Sequence, residues 1–97
     1  MAVGIIATLR VADGKQEEFE TGFAKMQEVV KAEEAGCQLY KLCRDKDDAT
    51  AYRVMEIYAD EEARKAHGRS DGFKAAAGAL GGCLAGAPEL VEVNIIS

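Results

Sequence analysis

Apolar residues alternate from the start of the chain. Over residues 2–11, A-V-G-I-I-A-T-L-R-V, the side chains of Val3, Ile5, Ala7 and Leu9 fall on one face of a strand and those of Gly4, Ile6, Thr8 and Arg10 on the other. Both faces are largely apolar, which predicts a central strand or one covered on both sides. The period then changes: Phe19, Phe23, Met26 and Val30 stand four, three and four residues apart, the inner stripe of a helix whose Glu and Lys residues face water. Asp13 is the expected N-cap of this helix, with Gln16 completing a capping box. The helix should end near Glu34, with Gly36 as a left-handed stop.

Residues 36–45, G-C-Q-L-Y-K-L-C-R-D, and residues 49–58 read as two strands joined by the polar turn Lys46-Asp47-Asp48, a hairpin. Tyr40 and Leu42 share one face of the first of these, Leu39 and Cys43 the other. Glu56 and Tyr58, two apart at the end of the second, also share a face. Asp60 then caps a short helix with Glu61 and Glu62 at its positive end and Ala63, Ala66 and His67 on one face. Gly68 is expected to stop it, and Ser70 to cap a second helix running through Phe73, Ala76, Ala77, Leu80 and Leu84. Residues 88–96 alternate again as a last strand.

The order β-α-β-β-α-β is that of the ferredoxin-like split βαβ, an α+β fold with an antiparallel four-stranded sheet and helices on one face. The opposite face would then be bare. Yet Val3, Leu39, Met55 and Val93, together with Leu42, Val54 and Leu90, supply apolar groups to both faces. A second copy placed sheet to sheet would bury the uncovered one, so the expected state is a homodimer through the sheet faces.

A chain of 97 residues is expected to form a single domain, 1–97, with a modest core that oligomerisation would extend. Seventeen acidic and twelve scattered basic residues give a formal charge of −5, which disfavours nucleic acid as a partner. No apolar run approaches the roughly 20 residues of a membrane helix, and no basic-then-apolar leader opens the chain, so no membrane association and a cytoplasmic location are expected. Cys37, Cys43 and Cys83 are odd in number, and the first two, on one predicted strand, lie about 20 Å apart at strand rise. Reduced thiols are expected. With one histidine and no C-x-x-C the chain lacks a zinc pattern, and Gly81-Gly82 neither follows a strand nor opens a helix as a phosphate loop would, so neither a metal nor a nucleotide cofactor is expected.

The stretch E-I-Y-A-D-E-E-A-R-K-A-H-G-R-S-D-G-F, residues 56–73, brings a carboxylate, a phenol and the lone imidazole to one strand-to-helix corner. That is enough for a small polar patch in an apolar cavity. Together with G-C-Q-L-Y-K-L-C-R-D before it and P-E-L-V-E-V after it, this stretch resembles the antibiotic biosynthesis monooxygenase family of dimeric α+β barrel proteins. The resemblance covers nearly the whole chain and is strongest from Gly36 to Phe73. It implies a ferredoxin-like subunit, a barrel-forming dimer and a pocket between sheet and helices. It also implies oxidation of a small aromatic or quinone-like ligand by molecular oxygen without flavin, haem or metal. The matching residues are Glu56 and His67, with Phe73 after them, and Tyr58 stands where many members have tryptophan. The haem-degrading members fit less well, since the first strand has no asparagine and the helix after Ser70 no histidine.

Such chemistry needs a base to make an electron-rich anion. Imidazole, whose ordinary pKa is about 6.5, is the suitable one, so His67 is the candidate base and Glu56 the group that orients it or polarises a bound hydroxyl. Tyr40 and Tyr58 could hydrogen-bond substrate oxygens. Two further functions fit the same resemblance or the same residues: a cofactor-free isomerase or signal-degrading enzyme, and a non-catalytic dimer that binds a hydrophobic ligand or a partner. A purely structural role for His67 is also open, with the ring capping the end of its short helix and pairing with Glu56.

Overall fold

The computed structural model describes residues 1–97. The elements run β1 (Val3–Arg10), α1 (Gln16–Glu33), β2 (Cys37–Arg44), β3 (Ala51–Tyr58), α2 (Glu61–Arg69), α3 (Asp71–Leu80), a 3-10 turn (Gly81–Cys83) and β4 (Glu89–Asn94). The strands lie in the order β2-β3-β1-β4, each neighbouring pair antiparallel, which is the ferredoxin-like α+β arrangement expected from the sequence. No helix is long and apolar enough to cross a membrane.

Strand alternation decides the two faces. On the covered side Val3, Ile5 and Ala7 of β1 and Tyr52, Val54, Glu56 and Tyr58 of β3 are buried. The stripe Phe19, Phe23, Met26 and Val30 of α1 is buried as well, and its first three members join the core formed by Ala7, Tyr52, Val54, Leu80 and Cys83. On the open side Ile6 pairs in register with Met55 on one flank and Val91 on the other, and these three remain 43%, 46% and 57% exposed. An apolar groove of about 430 Å³ runs over this face past Leu39, Cys43, Ile57 and Val93.

A register shift between Cys37 and Leu39 sets two residues of β2 against one of β3. This bulge changes which side Cys37 takes. It pairs with Tyr58 of the covered side, whereas Cys43 makes a 3.7 Å contact with the Met55 sulfur on the open side. Burial and the nearby Glu34 carboxylate push the Cys37 thiol up to about 11, and all three cysteines are free thiols.

Four expectations at helix ends are not met. Asp13 does not cap α1, because the chain turns first through Gly14 at φ +87°. The helix starts at Gln16, with Lys15 at its N-cap and no side-chain cap, and Gln16 Oε1 accepts from the Gly14 N–H at 2.8 Å. Gly36 is not left-handed. A Cβ there would lie 2.5 Å from the Cβ of Ala63, so glycine lets the end of α1 approach α2. Gly68 does not stop α2, which runs to Arg69; at Ser70 extended backbone breaks the helix and the hydroxyl accepts from Phe73 N at 3.2 Å to begin α3. Nor does α3 reach Leu84: it stops at Leu80, and Leu84 bridges to Val11 beyond the 3-10 turn.

Candidate functional site

A cavity of about 240 Å³ lies between the covered side of the sheet and α2, walled by Ile5, Tyr40, Glu56, Arg64, His67 and Phe73. A second cavity of about 210 Å³ shares Tyr40, Phe73 and Leu90 with it and is otherwise lined by apolar groups including Phe19, Phe23, Met26 and Val54. The paired space has one polar end and one apolar end.

Asp60 starts α2 by accepting from Ala63 N at 2.9 Å, and this turns His67, seven residues on, toward the sheet. The His67 ring is buried and held from three sides, with ring centroids 4.1 Å from Phe73, 5.4 Å from Tyr40 and 5.5 Å from Tyr58. Its Nδ1 lies 2.5 Å from Oε1 of Glu34, the C-cap residue of α1, and Nε2 has no protein partner. The expected pairing of His67 with Glu56 is therefore replaced by one with Glu34. Glu56 is occupied locally: its Oε1 accepts from the Tyr58 hydroxyl at 2.6 Å, since side chains two apart on a strand stand side by side.

Burial raises the Glu56 carboxyl above its ordinary value, against the lowering effects of the Tyr58 hydroxyl and of His67 and Arg64. Burial likewise raises the Tyr40 and Tyr58 phenols, with Glu56 nearby adding to both, so each keeps its proton. Tyr40 and Phe73, with Leu90, stand in the wall common to both cavities. The Tyr40 ring stacks on Phe23 at 5.4 Å, and its hydroxyl donates to the Met26 sulfur at 3.2 Å. Tyr58 is not brought into the cavity wall. It is fully buried behind Glu56, and its one hydroxyl proton is already given to that carboxylate.

Two residues at the site had no place in the sequence reading. Glu34, at the expected end of a helix whose Glu and Lys residues face water, is drawn in by the close contact of Gly36 with α2, and its Oε2 is enclosed without a partner. Arg64 precedes His67 by three residues, a spacing that puts both on one helix face and was the available signal. It forms an ion pair with Glu92 of β4 through Nη2, while its Nε is enclosed without a partner. No three His, Cys, Asp or Glu side chains converge on a metal-sized point.

Residues 2–79 match the sequence profile of antibiotic biosynthesis monooxygenases. A candidate antibiotic biosynthesis monooxygenase of Caulobacter crescentus CB15 is 42% identical and superposes with a TM-score of 0.95, over 99% of this chain and 91% of that one. A conserved protein of Methanosarcina mazei Go1 is 26% identical, with a TM-score of 0.89 over 96% and 91% of the two chains. SnoaB of Streptomyces nogalater, a cofactor-independent oxygenase, shares the fold at 23% identity, with a TM-score of 0.84 over 99% of this chain and 94% of that one. No curated protein matches the sequence.

Proposed function

The chain belongs to the antibiotic biosynthesis monooxygenase family, and on that premise we propose that it is a cofactor-independent monooxygenase that oxidises a small quinol or phenol with molecular oxygen. The observation that carries this reading is His67, a buried imidazole tied to a carboxylate at Nδ1 and unpartnered at Nε2 in the wall of a cavity with one polar end. A carboxylate on one ring nitrogen fixes the tautomer and leaves the other nitrogen as the acceptor.

His67 Nε2 takes the proton of a substrate hydroxyl, and Glu34 steadies the imidazolium that results. The phenolate gives one electron to oxygen, and the resulting radical pair joins at a ring carbon bearing hydrogen. Loss of that hydrogen as a proton, with cleavage of the O–O bond, leaves a quinone carbonyl and releases water. One oxygen atom enters the product and the substrate supplies all the electrons, so neither flavin nor metal is required. Tyr40 and Phe73 hold the ring system between them, and the apolar second cavity receives the part of the substrate away from its hydroxyl. The family relationship to SnoaB, a cofactor-independent oxygenase, is consistent with such a mechanism.

The same reading includes a homodimer through the open sheet face, whose exposed row of Met55, Ile6 and Val91 is the sort of apolar patch that a partner covers. The test of the activity is oxygen uptake with a panel of hydroquinones and phenols, using protein taken through chelation and gel filtration. Equimolar oxygen consumption and quinone formation is the expected result. Absence of uptake across the panel, or a stoichiometric flavin or metal retained with the activity, would reject the reading.

A further inference from the structure

We propose that Arg64 holds the anion that His67 creates, its guanidinium donating to the phenolate oxygen of the bound substrate. The proposal rests on the reading above in taking the substrate to be a phenol. Arg64 and His67 stand three residues apart on α2 and line the same cavity. The guanidinium is already anchored, because Nη2 is paired with Glu92 across on β4. A guanidinium that lines the cavity and is held by one carboxylate can offer its remaining charge and donors to an arriving anion without first being ordered.

The other groups around the cavity cannot take this role. Glu56 accepts from Tyr58, and Glu34 is engaged with His67. The hydroxyls of Tyr40 and Tyr58 are spent on Met26 and Glu56. A new anion in the cavity would therefore meet the Glu56 carboxylate, with Arg64 as the one lysine or arginine in the wall. When the substrate O–H breaks, the proton moves to His67 Nε2 and the electron pair stays on the oxygen beside Arg64. The two α2 residues divide the ionisation between them, one taking the proton and the other stabilising the charge left behind. The ligand class this selects is a phenol with its hydroxyl at one ring edge and its apolar body directed past Tyr40 and Phe73.

The probe is 4-nitrophenol, whose neutral and ionised forms absorb at different wavelengths, titrated with pH while bound to the parent, Arg64→Met, Arg64→Lys and His67→Ala proteins. In the parent, the bound probe should ionise with its equilibrium shifted about tenfold or more toward phenolate relative to free probe, the effect of an opposite charge at contact distance. Arg64→Met should abolish the shift, Arg64→Lys should keep part of it, and His67→Ala should keep most of it. Equal ionisation on parent and Arg64→Met, a probe bound only as the neutral phenol, or no binding to the parent would each overturn the proposal. Thermal melts of the variants establish that they are folded, and Arg64→Lys keeps the test decisive if Arg64→Met is not. The readout needs no turnover, so a protein that binds nitrophenolate through Arg64 but consumes no oxygen would refute the monooxygenase reading and leave this assignment intact.

Discussion

Glu34 and His67 are 33 residues apart in the chain, and their Oε1 and Nδ1 atoms are 2.5 Å apart in the fold. The pair joins the end of α1 to the last turn of α2, and so couples two elements on the same side of the sheet that the chain connects only through a hairpin. His67→Ala should lower turnover by about 10²-fold or more, the usual contribution of a general base. Glu34→Gln keeps the shape and removes the charge, and should lower kcat by roughly ten- to a hundredfold with KM nearly unchanged, matching the 1.5–3 kcal/mol of a hydrogen bond to a charged group. Steady-state kinetics on a substrate the parent oxidises well decides it. Rates within twofold of the parent for both variants would remove the pair from the mechanism.

Glu56 makes an unusual contribution to pH dependence. Burial raises its carboxyl in the folded protein above the ordinary 4.5. Below that value both folded and unfolded chains hold the proton, and the contribution is constant. As pH rises from there through the folded value, the unfolded chain gives up its proton first, the folded chain binds more protons, and stability is lost. Glu56→Gln carries no such charge and can still accept from Tyr58. Its melting temperature should therefore gain on that of the parent between pH 4.5 and pH 8, and a constant difference across that range would show that Glu56 is not desolvated at a cost.

Gly36→Ala should destabilise the fold by about 1–3 kcal/mol, since the added methyl meets the Cβ of Ala63 and the backbone must move. Ala63 sits on the helix that carries Arg64 and His67, so turnover should fall as well. Adding Ala63→Gly removes the opposing methyl. Urea unfolding of the double variant should show recovery relative to Gly36→Ala alone, and no recovery would mean that the two positions are not in contact.

Met55→Asp should convert a dimer to monomers, because it places a carboxylate in the exposed apolar row of Met55, Ile6 and Val91. Two such charges facing each other across a two-fold interface should weaken association by about 10²-fold or more. Light scattering at micromolar concentration measures it, and a parent protein that is already monomeric would refute the dimer itself.

Much of this architecture was legible in short-range pattern. The alternation in β1 and the four-three-four spacing from Phe19 to Val30 report directly which atoms are buried, because strand and helix periods leave little freedom about which face a residue takes. The pairing of His67 was not legible. Sequence proximity favoured Glu56, but the strand satisfies Glu56 from within through Tyr58, and the residue that reaches His67 arrives from another element. Nothing local distinguishes Glu34 from the solvated glutamates before it. The helix stops were misread for a related reason: Gly36 is required by a tertiary approach rather than by its own backbone, and Gly68 is tolerated inside α2.

The strand β4 is paired on one edge only and leaves all six of its side chains exposed. It is the strand whose detachment costs least, so on the timescale of local opening its amides should trade hydrogen for deuterium ahead of those of β1 and β3. Leu90 and Glu92 leave with it, the first from the shared wall of the cavities and the second from Arg64. Each such opening unseals the chamber and frees the guanidinium in a single motion, which ties the lifetime of a bound ligand to the breathing of one short edge strand.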